Sequence, residues 1–118
     1  MRPSLLVGLL VLAAVLGPAA CSSSDAPPGC DAPTQTTSVE LKDFSFEPSC
    51  IESSATATLT LRNTGSANHT FTINGTGVDV NVNAGDTASV TLSGLTAGMT
   101  YAVVCTYHSQ MVTALKAT

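Results

Sequence analysis

From residue 38 onward, apolar and polar positions alternate with a period of two. Val39 and Leu41 alternate with Glu40 and Lys42, and Ala57, Leu59 and Leu61 with Thr58, Thr60 and Arg62. Phe71 and Ile73 alternate with Thr70 and Thr72, Val78, Val80 and Val82 with Asp79 and Asn81, and Val90 and Leu92 with Thr91. Tyr101, Val103 and Cys105 share one face of a further segment, and Val112 to Ala117 forms a last one. A period of two sends successive side chains to opposite faces of a strand, so each run predicts a strand with one buried face. Turn-forming clusters separate the runs: Asn63-Thr64-Gly65, Asn74-Gly75, Ala84-Gly85-Asp86, Ser93-Gly94 and Ala97-Gly98. About seven short strands with regular turns predict an all-β domain, a Greek-key β-sandwich over residues 38–118. No helical period competes with this reading after residue 37.

The first 37 residues follow different patterns. Arg2 precedes an apolar run from Leu5 to Leu16, and small residues then lead to Ala19-Ala20-Cys21. A charged start, a short apolar stretch and a small-residue cleavage site make residues 1–20 a secretory signal. The run is shorter than the roughly 20 residues that span a bilayer. Cys21, followed by Ser22-Ser23-Ser24, resembles the lipid-attachment cysteine of bacterial lipoproteins, although Pro18 stands where that pattern has Leu. Ordinary cleavage would leave Cys21 as a thiol or a disulfide partner. Lipidation is expected instead, because a spare exposed thiol is a liability on an exported protein. Residues 21–37 carry prolines and no apolar periodicity, and read as a disordered tether. The expected location is therefore the outer face of a bacterial cell membrane, held there by the N-terminal lipid alone.

Composition narrows the function. The chain has 118 residues, with 4 basic and 8 acidic side chains. Signal removal leaves roughly 100 residues, enough for one domain. There is no basic cluster, so nucleic acid is excluded as a partner class. The acidic balance suits a soluble monomer and could steer a basic redox partner. A domain of about 80 residues buries only a modest core, so a disulfide or a metal would add needed stability.

With Cys21 assigned to lipid, three cysteines remain, which makes one pair and one left over. Cys30 and Cys50 have no histidine near them in sequence. A Cys30–Cys50 disulfide would close a loop of about 20 residues, worth about 3 kcal/mol in the chain-entropy description.

Cys105 has different surroundings: Cys105-Thr106-Tyr107-His108-Ser109-Gln110-Met111. A thiol, an imidazole and a thioether recur at i, i+3 and i+6 where a strand runs into a tight loop. Each residue alone has an ordinary explanation: an exported cysteine is usually in a disulfide, an isolated methionine in a core, and a histidine near a turn on the surface. Together, soft sulfur with imidazole selects copper, and two histidines, one cysteine and a weak axial methionine form an electron-transfer set. The second imidazole must be His69, because the chain has only 2 histidines. With both histidines engaged, no general base remains for a hydrolytic triad, and an enzyme is not expected. Asn68-His69-Thr70 and Asn74-Gly75-Thr76 fit the glycosylation pattern but are read as turn asparagines.

At this point the sequence resembles the cupredoxins, the small blue copper proteins that include plastocyanin, azurin and pseudoazurin. Phe44-Ser45-Phe46-Glu47-Pro48 with Ile51, the segment Asn63 to Phe71, Ala84-Gly85-Asp86, and Gly98 with Tyr101 carry the likeness. The ligand-loop spacing is most like that of amicyanin. The resemblance implies that His69 and His108 are nitrogen ligands, Cys105 the thiolate and Met111 the weak axial ligand of one Cu(I)/Cu(II) ion. It implies that the Thr70 amide donates to the Cys105 sulfur, that a Thr106 hydroxyl ties the ligand segments together, and that His108 lies nearest solvent as the electron port. Ser109 and Gln110 depart from relatives that carry proline after the second histidine. The expected function is one-electron transfer by a membrane-tethered type 1 copper protein. The alternatives are a carrier or buffer supplying copper to an extracytoplasmic oxidase, and a structural β-sandwich without metal.

Overall fold

The computed structural model describes residues 30–118. The signal segment, Cys21 and the first part of the tether lie outside the described residues. Ten strands form two sheets, and there is no helix among the described residues. The strands are β1 (Thr34–Gln35), β2 (Ser38–Lys42), β3 (Ser45–Glu47), β4 (Cys50–Ser53), β5 (Thr58–Asn63), β6 (His69–Ile73), β7 (Val78–Val82), β8 (Thr87–Thr91), β9 (Thr100–Cys105) and β10 (His108–Ala117). One sheet has the order β1-β4-β10-β9-β6-β7 and the other β3-β2-β5-β8.

The expected all-β sandwich is present, with ten strands rather than about seven. The additional ones, β1, β3 and β4, are two to four residues long, too short to show a period. Thr34 and Gln35 were expected in the tether, yet they pair in parallel with Ile51 and Glu52 on β4. Cys30 and Cys50 are joined in a disulfide, with Cα atoms 5.8 Å apart. The link holds the start of the described chain against β4, which in turn pairs with β10.

The alternating apolar residues converge as anticipated. Val39, Leu41, Leu59, Leu61, Phe71, Ile73, Val78, Val82, Val90, Leu92, Val103 and Leu115 form one core between the sheets. Strand β5 shows the pattern cleanly, with every second residue buried. Strand β6 does not: all five residues are buried, including Thr70 and Thr72. This strand lies between β9 and β7 in the sheet, and its threonines are spent on hydrogen bonds described below rather than on solvent. Gly75, Gly85, Gly94 and Gly98 all adopt positive φ in the anticipated turns, where a side chain would be strained.

The topology decides which chain segments meet. Strand β9 lies between β10 and β6 and is antiparallel to both. The end of β9 therefore abuts the starts of β6 and β10. The parallel pair β2 and β5 runs out at the same end, with Leu41 opposite Asn63.

Candidate metal centre

His69 opens β6, Cys105 closes β9 and His108 opens β10. Residues 36 apart in sequence are thus brought to one end of one sheet. Their ligand atoms lie within 4.8 Å of one another, the one such cluster found among the described residues. Cys105 Sγ is 3.9 Å from His69 Nδ1 and 3.5 Å from His108 Nδ1. Cys105 is a free, buried thiol, His69 is fully buried, and His108 is partly exposed.

Each member is held by bonds around it. The Thr70 amide donates to Cys105 Sγ at 3.4 Å and fixes the position of the sulfur. The Thr106 amide donates to Thr70 Oγ1 at 2.8 Å, and the two hydroxyls are 3.3 Å apart. Thr70 Oγ1 lies 3.0 Å from the Thr72 hydroxyl, which donates to Asp79 Oδ1 at 2.9 Å. This chain of threonines fastens the end of β9 to β6.

The loop that delivers His69 is fastened as well. Asn63 is buried and uses its whole amide: Nδ2 donates to the carbonyls of Ala67 and Val82, and Oδ1 accepts from the Gly65 amide. Asn68 Oδ1 accepts from the Ala84 amide, so this asparagine serves the turn, as does Asn74-Gly75 with Gly75 at φ 77°.

Asp43, in the turn between β2 and β3, reaches the same place from the other sheet. Its carboxylate accepts from the Ser66 amide at 2.8 Å and the Ala67 amide at 3.2 Å. Its Oδ1 is 2.8 Å from His69 Nε2. The Ser66 amide, then the His69 ring and the Ala67 amide, hold the Asp43 carboxyl below its ordinary range, against an opposing rise from desolvation. Phe44, next in the chain, lies against the imidazoles, its ring centroid 4.7 Å from that of His108 and 6.1 Å from that of His69. Tyr107, between two ligand candidates, is exposed and donates from its hydroxyl to Asn81 Oδ1.

Met111 is fully buried on β10. The register of β10 against β9 pairs His108 with Cys105 and Val112 with Val104, so residues 109–111 form a bulge. The loop expected across 105–111 is therefore shorter than anticipated: His108 already belongs to the strand, and Met111 leaves the bulge beside the end of β9.

The donor set fits a metal ion. Metal–nitrogen and metal–sulfur bonds of about 2.1 and 2.3 Å, set about 120° apart, place N and S about 3.8 Å from each other. The two observed separations bracket that value. Two imidazole nitrogens and a thiolate are the trigonal set that copper accepts.

The sequence profile of the cupredoxin-like domain family matches residues 7–115. The chain belongs to that family. Among solved structures, the purple cupredoxin of Nitrosopumilus maritimus matches with a TM-score of 0.52 at 16% identity, covering 70% of this chain and 100% of that one. A methionine-to-alanine variant of amicyanin in its Cu(I) form matches with a TM-score of 0.54 at 17% identity, covering 80% and 94%. The copper-containing nitrite reductase of Thermus scotoductus matches with a TM-score of 0.56 at 16% identity over 79% of this chain, which spans only 25% of that enzyme. At these identities the shared property is the fold. A comparison with curated proteins finds no match in sequence.

Within this cupredoxin-like domain, three contributors to the site went unread in the sequence. Nothing in the sequence singles out Asp43, Phe44 enters only in the segment that carries the family likeness, and Asn63 reads as a turn residue. Asp43 comes from a different sheet than His69, so no spacing links the pair. Asn63 does carry a signal: it continues the apolar positions Leu59 and Leu61 of β5, and a polar residue on a buried face calls for partners.

Proposed function

We propose that this domain holds one copper ion through His69, Cys105 and His108, with Met111 as a weak axial ligand, and transfers single electrons outside the cytoplasm. The observation that carries the reading is the convergence of two imidazole Nδ1 atoms and one free thiol from three strand ends. When bound, the ion would supply a Cu(II)/Cu(I) couple. What the chain supplies is a fixed frame. His69 is buried and tied to Asp43, Cys105 is tied to Thr70, and both sit on strand ends packed into the core. A frame that moves little between oxidation states keeps the cost of reorganisation low. His108 is the partly exposed ligand, which suits it to pass electrons to a partner protein.

Extracytoplasmic service is supported by the signal pattern at residues 1–20 and by the Cys30–Cys50 disulfide, since such links persist in oxidising compartments. In this reading Cys21 carries a lipid and the segment after it lifts a monomeric domain off the membrane.

Protein-film voltammetry of the copper-loaded domain tests the function. Electron transfer predicts a reversible one-electron couple with fast interfacial exchange. Copper uptake with a strong Cu(I) preference and slow exchange would point instead to a copper carrier, and failure to take up copper would leave a structural β-sandwich.

A further inference from the structure

We infer that Asp43 is a positioning residue for His69: it sets the tautomer of the ring before metal arrives and lowers the reduction potential of the loaded site. The inference deepens the copper reading above and rests on it. It begins from the geometry of the carboxylate. Asp43 Oδ1 lies 2.8 Å from His69 Nε2, and an ionised carboxylate can only accept. Nε2 therefore carries the hydrogen, and the lone pair of the neutral ring is left on Nδ1, the atom that faces Cys105 Sγ. One bond thus aims the buried imidazole at the thiol.

The carboxylate is itself locked, so it can transmit this constraint. The Ser66 and Ala67 amides hold it, and a Cβ on Gly65 would run into its Oδ1. The loop between β5 and β6 wraps the acid so closely that a side chain at residue 65 would push the carboxylate out of place. The same loop ends at His69, so the anchor and its target are clamped by one segment, which Asn63 fastens from below.

A fixed negative charge in contact with a ligand ring has an electrostatic consequence. It favours Cu(II), the more positive state, over Cu(I), and makes the imidazole a stronger donor. Asp43 reaches His69 directly, whereas Asp79 meets the site only through Thr72 and Thr70.

The test uses Asp43→Asn, which keeps the shape, and Asp43→Ala, with Glu52→Gln as a charge control on β4. Glu52 pairs with Lys116, toward the other end of β10 from His108. In the metal-free protein, nitrogen NMR of the wild type should show His69 as the Nε2–H tautomer alone, and Asp43→Ala should show a mixture. In the copper-loaded protein, Asp43→Asn should raise the ratio of Cu(I) to Cu(II) affinity about tenfold, an upward shift of about 59 mV. Glu52→Gln should leave the potential near that of wild type. A residue that only stabilised the loop would change the unfolding midpoint and not the potential. An unchanged potential in Asp43→Asn, or a single His69 tautomer in Asp43→Ala, overturns the inference while the copper reading stands. A wild-type protein that binds no copper overturns both.

Discussion

His69 and His108 stand in opposite situations, and the difference follows from what surrounds each ring. His69 is sealed in the core with both nitrogens engaged, one toward Asp43 and one toward Cys105. His108 is partly exposed under the Phe44 ring. The Asp43 carboxyl has a lower pKa folded than unfolded. Such a group contributes stability above its unfolded pKa, about 3.9, and loses it as pH falls through the folded value. The metal-free wild type should therefore weaken as pH drops below about 4, and Asp43→Asn should flatten that part of the curve, as read by urea unfolding at several pH values. Met111 poses a separate question, because it is buried whether or not it binds metal. As an axial ligand it favours Cu(I), so Met111→Leu should raise the potential and Met111→Gln, with a harder oxygen donor, should lower it. Gln should also cost about 1–3 kcal/mol of stability through its buried amide. Three coincident potentials in voltammetry would mean that Met111 is a packing residue. Cys105, His108 and Met111 could be singled out from sequence because they lie within seven residues, and His69 because no other histidine was left. Asp43 could not, since its role exists only once two sheets are stacked.

Strands of five or six residues announced themselves, and shorter ones did not. Alternation in β2, β5, β7 and β9 is visible because one face meets the core and the other meets water. Two-residue β1 has no period, and it is a strand only because β4 offers it an edge. Strand β6 alternates in sequence yet is buried throughout, and the Thr70 and Thr72 hydroxyls find hydroxyl and carboxylate partners in place of water. The bulge at residues 109–111 was hidden for another reason: it depends on the register of β10 against β9, which the loop sequence does not specify. The disulfide supports this architecture at the opposite side of β10 from the ligand strand β9. Replacing Cys30 and Cys50 with serine should therefore remove about 3 kcal/mol of stability in urea unfolding. Copper uptake should survive at temperatures where the variant stays folded. Loss of metal binding in a folded double variant would mean that the link shapes the site.

Across the whole molecule, a two-sheet sandwich serves to bring distant strand ends to one point. The core between the sheets holds β6 and β9 in place, the ends of β6, β9 and β10 supply the donors, and Asp43 from the turn of the second sheet braces the first. The packed frame thus carries its candidate donors at one end. The central claim is that Cys105 is a copper ligand in that frame. The visible spectrum of the domain titrated with Cu(II), beside that of Cys105→Ser, tests it most directly, because charge transfer from a cysteine thiolate to Cu(II) gives an intense band that other protein ligands do not. The account predicts that the band rises to one equivalent of copper in the wild type and is missing in a folded Cys105→Ser. A wild type that binds Cu(II) without colour, or a Cys105→Ser that keeps the band, would contradict it.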